Sequence, residues 1–173
     1  MLIRKLTYVS RGNTYNPDLY VNKNTMAFLS GLLSISLLLL LTGFLFHLPY
    51  LLHFPHDAGI AAACMFIMIG CMHILSPRKL TYMIEAWLPY ALQLVILSGI
   101  GEIILGAGLL FPAMQWYAAW GLTILLILMF PANIYVAVKQ LPAPGGLPAK
   151  PWYTWSRLAF QPVYIVWIWY SIS

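Results

Sequence analysis

Charge is scarce in this sequence. Only 8% of its 173 residues are Asp, Glu, Lys or Arg, with four acids against nine bases. Soluble domains carry about 25% charged and 45–50% apolar residues. A chain that is 62% hydrophobic, with mean hydropathy +0.82, has too little polar surface for a soluble globule. Its composition is that of an all-α, polytopic transmembrane helix bundle.

Cysteine is almost missing too. Cys64 and Cys71 lie seven residues apart in one apolar segment, which on a helix is about 10 Å along the axis. Bridged cysteines need Cα atoms within about 7 Å, so no disulfide joins them while the helix holds; both are expected to be buried small hydrophobes. The sequence has no Cys-x-x-Cys, no paired histidines at haem spacing and no nucleotide-binding glycine loop. Those absences remove an intrinsic redox centre and any visible catalytic motif, so no catalytic residue is assigned and no intrinsic cofactor is expected. The net charge of +5 sits in short loops without the aromatic-basic pattern of a nucleic-acid surface. Nucleic acid is therefore not an expected partner. The first 25 residues are polar and lack an apolar h-region, and no small-residue cleavage site follows the first apolar run, which predicts an uncleaved membrane segment.

What the sequence does have is long apolar runs. Spans of about 20 residues cross a hydrocarbon core of roughly 30 Å, and five can be drawn: 25–50, 58–76, 88–110, 115–138 and 151–172. Between the second and third, Arg78 to Trp87 mixes charged, aromatic and apolar side chains and suits an interfacial turn or short helix. Residues 139–150, with three prolines and two glycines, read as a loop. Five crossings place all nine Lys and Arg on one side and none on the other, which predicts a cytoplasmic N-terminus and an outside C-terminus. The expected division is a cytoplasmic polar tail over 1–24, an extra N-terminal transmembrane helix with its outer loop over 25–57, and a four-helix bundle over 58–173.

The third span carries a carboxylate, Glu102, deep in an apolar run. A charge there costs roughly 2.5–3.5 kcal/mol on insertion scales and marks a candidate functional site. Ser98 is one turn away on the same face. Counting depth along each span brings His73, Asn133, Arg157 and Gln161 to the same half of the membrane, and favours Gln161, or a carbonyl freed near Pro162, over His73 as the partner of Glu102. Pro131 and Pro162 interrupt the fourth and fifth spans and free backbone carbonyls. Each polar group also reads as interhelical glue, and Arg157 as an interfacial anchor. In the outer loop His47, His53, His56 and Asp57 supply four metal-competent side chains. Their spacing matches no ligand signature, which favours a plain interfacial loop over a metal site.

An ordered set of segments resembles the DoxX family of small bacterial membrane proteins: His73–Pro77, Trp87–Pro89, Ser98–Ile103, Gly106–Leu110 with Pro112, Ala118–Gly121, Phe130–Tyr135, and Arg157–Leu158 with Gln161. The resemblance covers residues 58–172 and implies a four-helix transmembrane core in a bacterial cytoplasmic (inner) membrane, to which the first helix is an addition. It departs from the family's pattern at Arg157–Leu158–Ala159–Phe160–Gln161, where proline is displaced to Pro162. It implies membership of a respiratory or redox membrane complex. Three functions follow as expectations: an accessory or structural subunit of such a complex, a quinone-interacting subunit with a polar pocket at Glu102, Ser98, His73 and Gln161, or a small-molecule or proton carrier. Expected partners are the lipid bilayer and other membrane subunits, and the expected ligand is a quinone or a bound lipid.

Overall fold

The computed structural model describes residues 9–10, 13–14, 27–141 and 151–173. Most of the polar tail, including Arg4, Lys5, Arg11 and Lys23, and the loop from 142 to Lys150 lie outside the described residues. Within them the protein is helical, apart from a ribbon in which β1 (Val9–Ser10) pairs antiparallel with β2 (Asn13–Thr14).

Proline sets several helix starts. Helix α1 (Ala27–Leu45) ends in a turn at His47, whose φ is 53°. Pro49 then opens the single turn α2 (Pro49–Leu52), and Pro55 sits in the first turn of α3 (Phe54–Leu75). A proline there gives up an N–H that has no helical partner anyway. The expected outer loop over 49–57 is therefore largely helical, and Asp57 belongs to the first turn of α3. At the other end Pro77 stops α3. The chain passes through two 3-10 turns, Pro77–Lys79 and Thr81–Met83, before α4 (Ala91–Gly108) starts behind Tyr90, held at φ 59°. Helix α4 is thus shorter at its start than the expected span from 88. Helices α5 (Gln115–Lys139) and α6 (Pro151–Ser171) follow the sequence closely.

Four helices, α1, α3, α4 and α5, are long and apolar enough to cross a membrane. Helix α6 has comparable length, about 31 Å, but is richer in Trp and Tyr and contains Arg157 and Gln161. It packs against α5 and α3, its C-terminal end meeting the start of α3: Trp167 Nε1 donates to Ala58 O at 3.0 Å, and Phe54 lies against Trp167 and Tyr170.

Helix α3 is the hub, in contact with α1, α2, α4 and α6. Its alanines explain how: Ala58, Ala61, Ala62 and Ala63 are fully buried and let neighbours approach on several sides. Around them Leu32, Met65, Phe66, Leu109, Leu122 and Ile168 close one apolar cluster. A second cluster at the opposite end is made by the 3-10 segment: Leu80 and Met83 pack under Val95, Ala132 and Val136. Cys64 is exposed on the bundle surface and Cys71 is intermediate, both with free thiols. This corrects their expected burial, because the seven-residue spacing puts them on the one face of α3 that no helix covers fully.

Helix α1 runs antiparallel to α3 but is displaced along it. Phe28 meets Phe66 at 5.5 Å between ring centroids, Ser36 meets Asp57, and the Cα of Gly43 faces Leu51 of α2. It flanks the half of α3 that carries Asp57, not the half that carries His73.

Candidate functional site

A close contact between α3 and α4 creates the site. A Cβ built on Gly70 of α3 would fall 2.5 Å from Gly99 O, and one on Gly99 of α4 would fall 2.6 Å from His73 Cβ and 2.8 Å from Gly70 O. Only glycine on both helices allows backbones this near. One turn from that crossing, His73 and Glu102 are carried to the interface from opposite sides.

His73 Nδ1 lies 2.8 Å from Glu102 Oε2, with side chains only 10% and 4% exposed. Ser98 Oγ is 3.4 Å from the same Nδ1 and donates to Val95 O at 2.8 Å. The serine hydrogen is spent on the carbonyl, so serine and carboxylate both present lone pairs to Nδ1, and the network assigns the ring proton to that nitrogen. The His73–Glu102 approach is close but not aligned as a hydrogen bond, which leaves Glu102 Oε2 beside the imidazole with no hydrogen-bond partner. The group lies between the two apolar clusters, with Val95 one turn to one side and Phe66, packed on Gly106, to the other.

Three of the six expected residues therefore converge: His73, Ser98 and Glu102. Gln161 does not join them. Its Nε2 donates to Leu126 O of α5, while its Oε1 is buried without a partner. Leu126 is one position before Ile127, whose carbonyl loses its helical partner at Pro131, so Gln161 caps the proline-weakened stretch of α5. Asn133 and Arg157 are partly buried, and among the described residues no hydrogen bond or ion pair connects them to Glu102. The depth argument that preferred Gln161 over His73 is corrected here. It counted from the expected cytoplasmic end of each span, with the third starting at 88, whereas α4 starts at Ala91 and is staggered on α3, Gly99 standing eight residues into α4 opposite Gly70, five residues from the end of α3.

The histidines of the outer segment do not gather with Asp57. His56 stacks on Tyr50 with centroids 4.4 Å apart, and His53 is 6.0 Å from His56. Asp57 turns the other way, fully buried, and accepts from Ser36 Oγ. Among the described residues no group of three or more His, Cys, Asp or Glu is placed to hold a metal ion. Ser36 is the partner that sequence reasoning missed. A serine in a leucine run carries no local signal of which acid it will meet.

Comparison with known proteins corrects the family. Residues 62–172 match the family described as Domain of unknown function (DUF8561), not DoxX, and with that match the DoxX resemblance and what it implied fall away. No curated protein and no solved structure matches. The matched region takes in α3 from its third turn through α6, including His73, Ser98, Glu102 and Gln161, and leaves α1, α2 and Asp57 outside. With well over half of its length matched, the chain belongs to the DUF8561 family.

Proposed function

We propose that the protein is an accessory, structural subunit of a larger membrane complex, with α3 to α6 as its body and α1 as the helix through which it meets other subunits. The observation that supports this reading is the mutual engagement of His73 and Glu102 beside backbones in van der Waals contact. The buried charge is used to tie α3 to α4. Helix α1 supports it further, because only 17% of its span is buried inside the protein, against 50% for α3. The proposal includes five crossings of a bacterial inner membrane, with all nine Lys and Arg on the N-terminal side and the C-terminus outside. A redox or respiratory character for the complex rested on the resemblance and is not carried forward. Native membranes extracted in mild detergent, with photo-crosslinkers placed along α1 at Leu37, Leu41 and Phe44, test it. Adducts to a defined membrane protein are the expected result, and a lone monomer without adducts overturns it.

The convergence of His73, Ser98 and Glu102 favours a second reading, a quinone-binding subunit in which these groups hydrogen-bond a carbonyl oxygen. Glu102→Gln would then abolish quinone binding, and unchanged binding at normal expression removes this reading. A carrier role for the same centre predicts flux of protons or small molecules in liposomes containing the pure protein.

A further inference from the structure

The second buried acid, Asp57, has a different environment from Glu102. It is fully buried where α1 crosses α3, one carboxyl oxygen accepts from Ser36, itself 3% exposed, and the other, Oδ1, is buried with no partner. Among the described residues no cationic side chain offsets it. Helix α1 contributes no titratable group at all over Ala27–Leu45. Helix α2 contributes only Tyr50, the start of α3 its own His53 and His56, and the end of α6 only Tyr170. Both histidines are exposed, and among the described residues none of these groups pairs with Asp57.

A carboxylate removed from water with one hydroxyl for company is strongly unfavourable unless a positive charge compensates it. Glu102 has His73. We propose that Asp57 and Ser36 form a binding site for a small monovalent cation, a proton or an alkali-metal ion, and that its occupancy holds α1 against α3. Oδ1 is the atom that receives the cation. Ser36 Oγ supplies a second oxygen to a metal ion, or hydrogen-bonds the carboxyl group when the cation is a proton. The site lies outside the matched family region, so the inference stands apart from the subunit role.

The test uses the purified full chain in detergent and follows thermal unfolding. Anything that binds only the folded state raises the transition in step with the logarithm of its activity once it exceeds its dissociation constant. In choline chloride at fixed ionic strength, a midpoint that climbs as pH falls identifies the proton. At fixed pH, a midpoint that climbs when NaCl or KCl replaces choline chloride identifies the metal ion. In either case Asp57→Asn, which is neutral and nearly isosteric, must abolish the dependence while keeping the fold, and Ser36→Ala must weaken it. A wild-type midpoint indifferent to both series, or a dependence that survives unchanged in Asp57→Asn, overturns the proposal. If Asp57→Asn cannot be purified, Ser36→Ala decides alone: an unaltered dependence overturns it.

Discussion

His73 of α3 and Glu102 of α4 are each other's neighbours at 2.8 Å, across a helix contact that glycine alone permits. Removing one partner leaves the other buried without compensation. His73→Ala and Glu102→Ala are each expected to destabilise the protein by about 3–5 kcal/mol. Glu102→Gln, which keeps an acceptor, should cost less. Reversible unfolding in mixed micelles measures all three.

The backbones at Gly70 and Gly99 share one space. Gly70→Ala puts a methyl group 2.5 Å from Gly99 O and Gly99→Ala puts one 2.8 Å from Gly70 O. Each should cost about 1–3 kcal/mol, as overpacking does. The double variant should cost less than the sum, because the first separation of the helices makes room for the second methyl. A double-mutant cycle that is strictly additive would contradict the shared contact.

Gln161→Leu removes the donor to Leu126 O beside the proline break in α5. The loss should resemble other interhelical hydrogen bonds in membranes, about 0.6 and at most about 1.7 kcal/mol. Faster backbone hydrogen exchange between Leu126 and Phe130 is the local signature to measure.

Cys64 and Cys71 should both stay reduced. Their free thiols and helical spacing predict an intact mass unaffected by reductant after aerobic purification, and, because Cys64 is the more exposed, a lipid-soluble thiol reagent should label it first.

The helices were legible because their signal is local. Apolar runs of bilayer length, with Pro49, Pro55, Pro77 and Pro151 as punctuation, place five long helices within a few residues. The polar centre was legible by type and only partly by partner. Glu102 and Ser98 share a face by the i, i+4 rule, but which helix meets that face depends on axial stagger, set by Gly70 and Gly99 and by the 3-10 segment beneath them. Asp57 shows the same limit. It sits among histidines in sequence, yet the rotation of the first turn of α3 sends it toward Ser36, 21 residues earlier. The family itself was misread: each quoted segment is short and built of Gly, Pro and apolar residues common in membrane bundles, so their order resembled DoxX without belonging to it.

The displacement of α1 along α3 bears on how the protein sits in lipid. From the level where Ser36 meets Asp57, α1 continues to Leu45, about 13 Å, whereas α3 reaches back only to Phe54, about 5 Å. Phe44, Leu45 and Phe46 are exposed on that overhang. The apolar girdle is therefore offset on the α1 side, overhanging at the Leu45 end and falling short at the other, where α1 begins level with Phe66 while α3 runs on to Leu75. A bilayer matches such a girdle by thickening locally or by letting the protein lean, so membrane thickness sets the angle at which α1 is presented to its neighbours.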